Sequence, residues 1–302
     1  MKLIKASAEI WEQGNTLEDI WAHIARCTRV CYQSTPKNDG ETDEEFVKRV
    51  ILRPDSSTGR LNFDKIHGSV LEHGTIYLKG IDDLSKYLLI SHYYANKYSK
   101  LRGIPDNDRG ISNYVVTTNL RVLYENNWLD DLQYICAPTE YHARRVTVSF
   151  ITNIGVSREF NRHRVNSIAE ESTRYCNYYT ERLNKSVKFT LPDWISESDV
   201  FNYKLRKKEN PNVECTPIDY YMYALQTCEQ CYNGLISLGW KPQQAREVLP
   251  LATKTQLIHT AFVDDWKHFF ALRADGVSGP SHPNAALVAK PLKEEFIKRG
   301  YI

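Results

Sequence analysis

No Gly-x-Gly-x-x-Gly triplet occurs anywhere in the 302 residues, so any dinucleotide this chain holds is not held by a Rossmann first turn. Long apolar runs are missing as well. None reaches the length of a bilayer, and the opening Met1-Lys2-Leu3-Ile4-Lys5-Ala6 lacks the apolar core of a secretion signal, so a cytoplasmic protein without a membrane partner is expected. Charge of one sign is not in excess: 39 Lys+Arg against 37 Asp+Glu leave a formal net charge of +2, which argues against a protein that coats nucleic acid. Any anion site must therefore be built by local clustering. Metal-ligand spacing is equally scarce. The seven cysteines are an odd number without a secretion signal and read as reduced thiols. Cys228 and Cys231 form a Cys-x-x-Cys pair with no second pair or histidine at zinc-like spacing, and Cys27 and Cys31 read as one inward helix face, so no metal site is expected. No internal repeat or low-complexity tract is present, and 42% hydrophobic residues are ample for a core.

Hydrophobic periodicity organises what is there. Residues 2–11 can form a strand; Leu17, Ile20, Trp21, Ile24 and Cys27 behind Thr16 predict a capped helix to about residue 31. A polar loop over 33–43 precedes a short helix capped by Thr42, carrying Phe46, Val47, Val50 and Ile51 and closed by Pro54. The β-branched and aromatic residues of 75–78 favour a strand. The stretch 79–143 has its own helix signal in Leu84, Tyr87, Leu88, Ser91 and Tyr94, and a polar loop at 105–110. Val146, Val148, Phe150, Thr152 and Ile154 alternate with Thr147, Ser149, Ile151 and Asn153, the two-residue period of a sheet strand. Gly155 is expected to end it, with Ser157 capping a helix that starts at Arg158; free backbone N–H groups there would add to an anion site. Further helices are expected from Thr216-Pro217 to Gly239, from Pro242 to Pro250, over 264–273, and over 284–299 with a kink at Pro291; 255–262 reads as extended. Periodicity alone supports a mixed α and β protein.

The densest chemistry lies in 162–175, where Arg162, His163, Arg164, Glu170, Glu171, Ser172, Thr173, Arg174 and Tyr175 stand together without a lysine. Guanidinium is a planar, permanently charged fork that matches phosphate and carboxylate oxygens, so an all-arginine cluster points to oriented anion recognition. Two later segments repeat the theme: Ala245-Arg246-Glu247-Val248-Leu249-Pro250, and Phe269-Phe270-Ala271-Leu272-Arg273-Ala274.

Arg-His-Arg, seven residues, Ser, then Arg-Tyr, followed by these two arginine motifs in order, closely resembles the flavin-dependent thymidylate synthases over nearly the whole chain outside 79–143. The resemblance implies a single α/β domain of the α+β type, a central, mostly antiparallel sheet flanked by helices, with 79–143 as an elaboration. It implies FAD bound by Ser69, Glu72, Arg162, His163, Arg164, Glu170 and His268. Deoxyuridylate (dUMP) would meet Glu170, Ser172 and Arg174 from one subunit of a homotetramer and Arg162, Arg246 and Arg273 from another, with Glu159 also on the nucleotide side. His67 would stand at the folate. The implied reaction moves a one-carbon unit from methylenetetrahydrofolate to the uracil 5-carbon and reduces it with a hydride from the flavin, which NADPH re-reduces. Arg273 would be catalytic by electrostatics, because a guanidinium with a pKa above about 12 is no practical base. Ser172 has no histidine or lysine neighbour to activate it and is assigned to substrate binding.

Three departures stand out. Ala169 replaces the asparagine common before the motif glutamate, and Glu159 replaces a glutamine. The segment 262–268 lacks the usual Asn-x-Arg flavin contacts, keeping His268, whereas Asn119-Leu120-Arg121 inside the elaboration has that pattern; Asn119 and Arg121 are expected to supply the adenine-side contact. A non-catalytic nucleotide or RNA-binding module, with some of the 19 tyrosines stacking on bases, is the competing reading.

Overall fold

The alternating strand at the centre of the chain organises the molecule. In the computed structural model, which describes residues 1–32, 34, 37–53, 68–106, 110–180, 185–209 (backbone alone over 205–209) and 215–302, four antiparallel strands form the central sheet. Their order is β2 (Ser7–Trp11), β6 (Arg145–Asn153), β9 (Lys254–Phe262), β7 (Ser167–Glu170). A second antiparallel sheet runs β3 (Thr75–Lys79), β5 (Gly110–Asn119), β4 (Lys100–Asp106), and β1 (Lys2–Ile4) pairs in parallel with β8 (Lys188–Thr190). Residues 2–11 are thus two strands in different sheets. His67 and Pro54 lie outside the described residues.

Opposite residues across β6 and β9 share a face, so Val146, Val148 and Phe150 join Leu257, His259 and Ala261 on one side. That side is covered by α5 (Ile154–Phe160), α9 (Val263–Arg273) and α10 (Pro283–Lys298), whose Trp266, Phe269, Phe270 and Phe296 are fully buried. Burying such rings supplies much of the stability, at about 25 cal/mol per Å² of apolar surface. Trp266 Nε1 also donates to Val146 O at 3.0 Å, satisfying the one polar atom that the ring carries inward.

The opposite face carries Thr147, Ser149, Ile258 and Thr260 and is covered by α1 (Leu17–Tyr32) and by the 3-10 turn Gly68–His73. Thr16 and Asp19 cap α1 reciprocally, and its apolar stripe of Ile20, Ile24 and Cys27 packs inward with α2 (Asp43–Val47), α3 (Asp83–Tyr93) and α4 (Leu120–Asn126). The capping box of Thr42 and Glu45 starts α2 as the sequence leads one to expect. Around Tyr232 and Phe189, α7 (Pro217–Ser237) and α8 (Pro242–Ala245) enclose a third apolar cluster, beside α6 (Glu197–Glu209). The stripe expected on α7 buries Met222, Leu225 and Tyr232.

Two local expectations are corrected. The helix expected from Arg158 begins four residues earlier, because the Asn153 carboxamide accepts from Val156 N at 2.8 Å and starts α5 directly at the strand end; Gly155 lies within the helix. The Arg162-His163-Arg164 group therefore follows the C-terminal end of α5, where backbone carbonyls rather than free N–H groups gather, and the helix dipole adds nothing to an anion site there. The loop expected at 105–110 belongs to the β4–β5 hairpin, with a register shift between Ile104 and Pro105; 107–109 lie outside the described residues.

Candidate functional site

A cavity of about 620 Å³ opens between the central sheet and the 68–126 region. One wall is Arg164, Val165, Asn166 and Ser167 leading into β7, with Arg145, Ala261 and Phe262 from β6 and β9. The other is Glu72 on the 3-10 turn, Asn119, Arg121 and Glu125 at α4, and Lys97, Tyr98 and Lys100 before and on β4. The cavity thus brings Glu72 and Arg164 together with Asn119 and Arg121. Arg121 is fixed by two carboxylates, Nη1 donating to Glu72 Oε1 at 2.5 Å and Nε to Glu125 Oε1 at 2.7 Å. Asn119 caps α4, its side-chain oxygen accepting from Val122 N at 3.2 Å. Ser69 is exposed on the same turn as Glu72 and does not line the cavity.

Arg145 forms the floor and is the residue that sequence reasoning missed, since it stands just before the alternation that begins at Val146 and belongs to no motif. Its Nη1 donates to Glu72 O at 3.0 Å and Thr75 Oγ1 at 3.2 Å, and its Nη2 to Ser167 Oγ at 3.1 Å, tying β6 to the 3-10 turn, β3 and β7. Beside it runs a buried polar chain: His23 Nε2 is 3.2 Å from Thr147 Oγ1, which is 2.7 Å from Thr260 Oγ1, itself 2.8 Å from His73 Nδ1. Burial, then the Arg26 and Arg145 charges, hold His23 down to about 4, and burial first of all holds His73 well below the usual histidine range. Both rings are neutral at pH 7.

A second group forms where α9 crosses the end of α5. Arg273 Nη1 donates to Glu159 Oε2 at 2.9 Å, its Nη2 to Glu159 O at 2.8 Å, and its Nε to His163 Nε2 at 3.2 Å. Burial, then the Arg273 and His268 charges, lower His163 to about 4, so a neutral imidazole accepts from the guanidinium. His268 is exposed, its ring 5.7 Å from that of His163. Glu159, expected on the nucleotide side, is held here by Arg273 of its own chain.

The third group is the segment after β7. Glu170 accepts from Asn161 Nδ2 at 2.9 Å and Thr255 Oγ1 at 3.0 Å, and buried Glu171 forms an ion pair with Lys254. Arg246 Nη1 donates to Thr173 Oγ1 at 3.1 Å beside a recess of about 320 Å³, placing it next to Ser172 and Arg174 of the same chain rather than apart from them. Arg162 and Arg174 are exposed, and among the described residues neither guanidinium has a carboxylate partner within 4.0 Å. Cys228 and Cys231 lie on α7, and among the described residues no group of three or more His, Cys, Asp or Glu could hold a metal ion. Nor is any described helix long and apolar enough to cross a membrane.

Comparison with known proteins bears on the same residues. The family model described as thymidylate synthase complementing protein matches residues 141–297, just over half of the chain. A flavin-dependent thymidylate synthase of Thermosipho melanesiensis is 30% identical over 159 residues, covering 50% of this chain and 66% of that protein. Another from Thermosipho africanus is 28% identical over 123 residues, covering 40% of this chain and 51% of that one. The chain thus spans no more than two thirds of the length of these relatives. The crystal structure of a UMP/dUMP methylase PolB from Streptomyces cacaoi, bound with 5-Br dUMP, overlays 99% of this chain and 93% of that one at 16% identity and a TM-score of 0.42. With β6 to α10 matched by the family model, this chain belongs to the flavin-dependent thymidylate synthase family, that of thymidylate synthase complementing protein.

Proposed function

We propose that this chain catalyses the reductive methylation of dUMP to dTMP, with methylenetetrahydrofolate as one-carbon donor, reduced FAD as hydride donor and NADPH as the reductant of the flavin. The observation that carries the reading is the cavity in which Glu72, Asn119, Arg121 and Arg164 meet although they are distant in sequence. Its lining fits FAD. Cations suit a diphosphate, the Tyr98 and Phe262 rings offer stacking faces, and about 620 Å³ lies within the range of about 300 to 1,000 Å³ typical of small-molecule sites. When bound, FAD supplies the hydride. Arg121 and Arg164 hold it, with Glu72 keeping Arg121 in place.

Arg273 acts on the nucleotide. Its guanidinium, oriented by Glu159 and His163, stabilises negative charge on the uracil ring and makes the 5-carbon more nucleophilic. His163 keeps that geometry without adding a charge, because burial leaves it neutral. Arg246, Ser172 and Arg174 bind the phosphate, with Arg162 reaching it from a neighbouring protomer of a homotetramer. Glu170, fixed by Asn161 and Thr255, would serve both the nucleotide and the flavin. The test is direct: the purified protein should be yellow, dUMP should perturb its flavin absorbance, and dTMP should form only with methylenetetrahydrofolate and NADPH present. A colourless protein that takes up no FAD and forms no dTMP refutes the proposal.

A further inference from the structure

The cavity floor holds a charge that no described carboxylate pairs with directly, although the Glu72 and Asp265 charges act on it from farther away. Arg145 is only 9% exposed, yet no carboxylate oxygen of the described residues lies within 4.0 Å of its guanidinium, and its buried Nε has no hydrogen-bond partner at all. Its three bonds go to neutral oxygens, those of Glu72 O, Thr75 and Ser167. Burial lowers its pKa only to about 10, so it stays protonated at neutral pH. A buried charge without a direct partner is strongly destabilising, and proteins retain one where an anion completes it. Around it the cavity carries four more cationic side chains, Lys97, Lys100, Arg121 and Arg164, against three carboxylates. Two of those carboxylates, Glu72 and Glu125, are engaged by Arg121.

We infer that Arg145 is an anion-binding residue, the buried anchor for a phosphate of the nucleotide that occupies this cavity. This rests on reading the cavity as the FAD site, and it adds a contact from the first position of β6 to those expected of Arg164 and Arg121. Three hydrogen bonds fix the fork before the ligand arrives, so little ordering remains to be done on binding. The guanidinium matches two phosphate oxygens at once, as an ammonium does not.

The experiment measures the affinity of the full chain for FAD, ADP, inorganic pyrophosphate and riboflavin, which lacks phosphate, in wild type and Arg145→Met, by fluorescence and calorimetry. The expected result is an affinity loss of at least tenfold for FAD and ADP with less than a twofold change for riboflavin. Equal FAD affinity in wild type and variant overturns the role of Arg145 and leaves the FAD reading standing. A wild type that binds pyrophosphate or ADP but not FAD, with that binding lost in the variant, overturns the FAD reading and supports the anion site; binding of none of the four overturns both. Should Arg145→Met fail to fold by circular dichroism, Arg145→Lys carries the comparison, since it keeps the charge and loses the fork. About a threefold loss for FAD with riboflavin unchanged is then expected, and no change for either overturns the inference.

Discussion

Replacing Arg273 with alanine removes three donated hydrogen bonds and the cation that the proposed chemistry places beside the uracil ring. A single preorganised donor aimed at developing charge is typically worth about 3 to 4 kcal/mol, which corresponds to a loss of about 100- to 1,000-fold in kcat. Folding should suffer far less. The Arg273–Glu159 pair is partly exposed, at 17% and 30%, so solvent screens the carboxylate left behind, and about 1 to 2 kcal/mol of destabilisation is expected. Arg273→Lys keeps the charge but cannot span Glu159 O, the Glu159 carboxylate and His163 together, so it should recover only a small part of the rate. The assay is single-turnover dTMP formation at saturating dUMP and methylenetetrahydrofolate, with the melting temperature measured on the same samples. An Arg273→Ala protein that melts within a few degrees of wild type and turns over at a near-normal rate refutes the electrostatic role.

Acid should destabilise the protein below neutrality. His23 and His163 are held at about 4 and His259 at about 3, each chiefly by burial, whereas unfolded histidine titrates near 6.5. The unfolded state therefore binds more protons between these values, so the stability contribution is full above about pH 6.5 and is lost as pH falls from there towards 4. Each ring adds a slope of about 1.4 kcal/mol per pH unit within that window, and urea titrations at pH 7, 6 and 5 that give equal stabilities would contradict it. Trp266→Ala, which opens a cavity among Phe150, Phe269, Phe270 and Phe296 and removes the Nε1 bond to Val146 O, should cost about 3 to 5 kcal/mol, read as a lower denaturation midpoint. Little change there would mean that the α9 face is not packed as described.

Legibility followed the range of the interaction. The α1 stripe, the Thr42 capping box and the α7 start at Thr216-Pro217 depend on residues within a few positions, and each forms as the spacing implies. Strand β7 was invisible because Ser167-Ile168-Ala169-Glu170 has no strand propensity of note and sits in a charged motif; it exists because the edge of β9 offers it hydrogen bonds from 90 residues away in sequence. The β4–β5 hairpin hid for a related reason. Lys-Leu-Arg-Gly-Ile-Pro-Asp, with a proline inside, reads as loop, and an edge strand is where the sheet tolerates it. The alternation of β6 was plain, but alternation does not reveal that Thr147 and Ser149 on its polar face are buried beneath α1.

The candidate site divides along the same line. The matched segment 141–297 contains every arginine of the three motifs that run in order from Arg162 to Arg273, and these are recognisable because their neighbours recur in fixed order. The opposite wall of the cavity comes from residues 72–125, outside that segment, where Arg121 stands against Glu72 and Asn119 caps the helix that carries it. Segment 262–268 lacks an Asn-x-Arg, and β9 runs through Ala261 and Phe262 along the same cavity that Asn119 and Arg121 line. On the proposed reading, the Asn119 and Arg121 pair would supply from one wall the contact absent from the other, and pairing of β5 with β3 brings that pair to the cavity. Arg145 completes the arrangement from below, and no motif could have marked it: its importance lies in what surrounds it in space, a cavity in which no carboxylate of the described residues lies within ion-pair distance of it, and not in its sequence neighbours Arg144 and Val146.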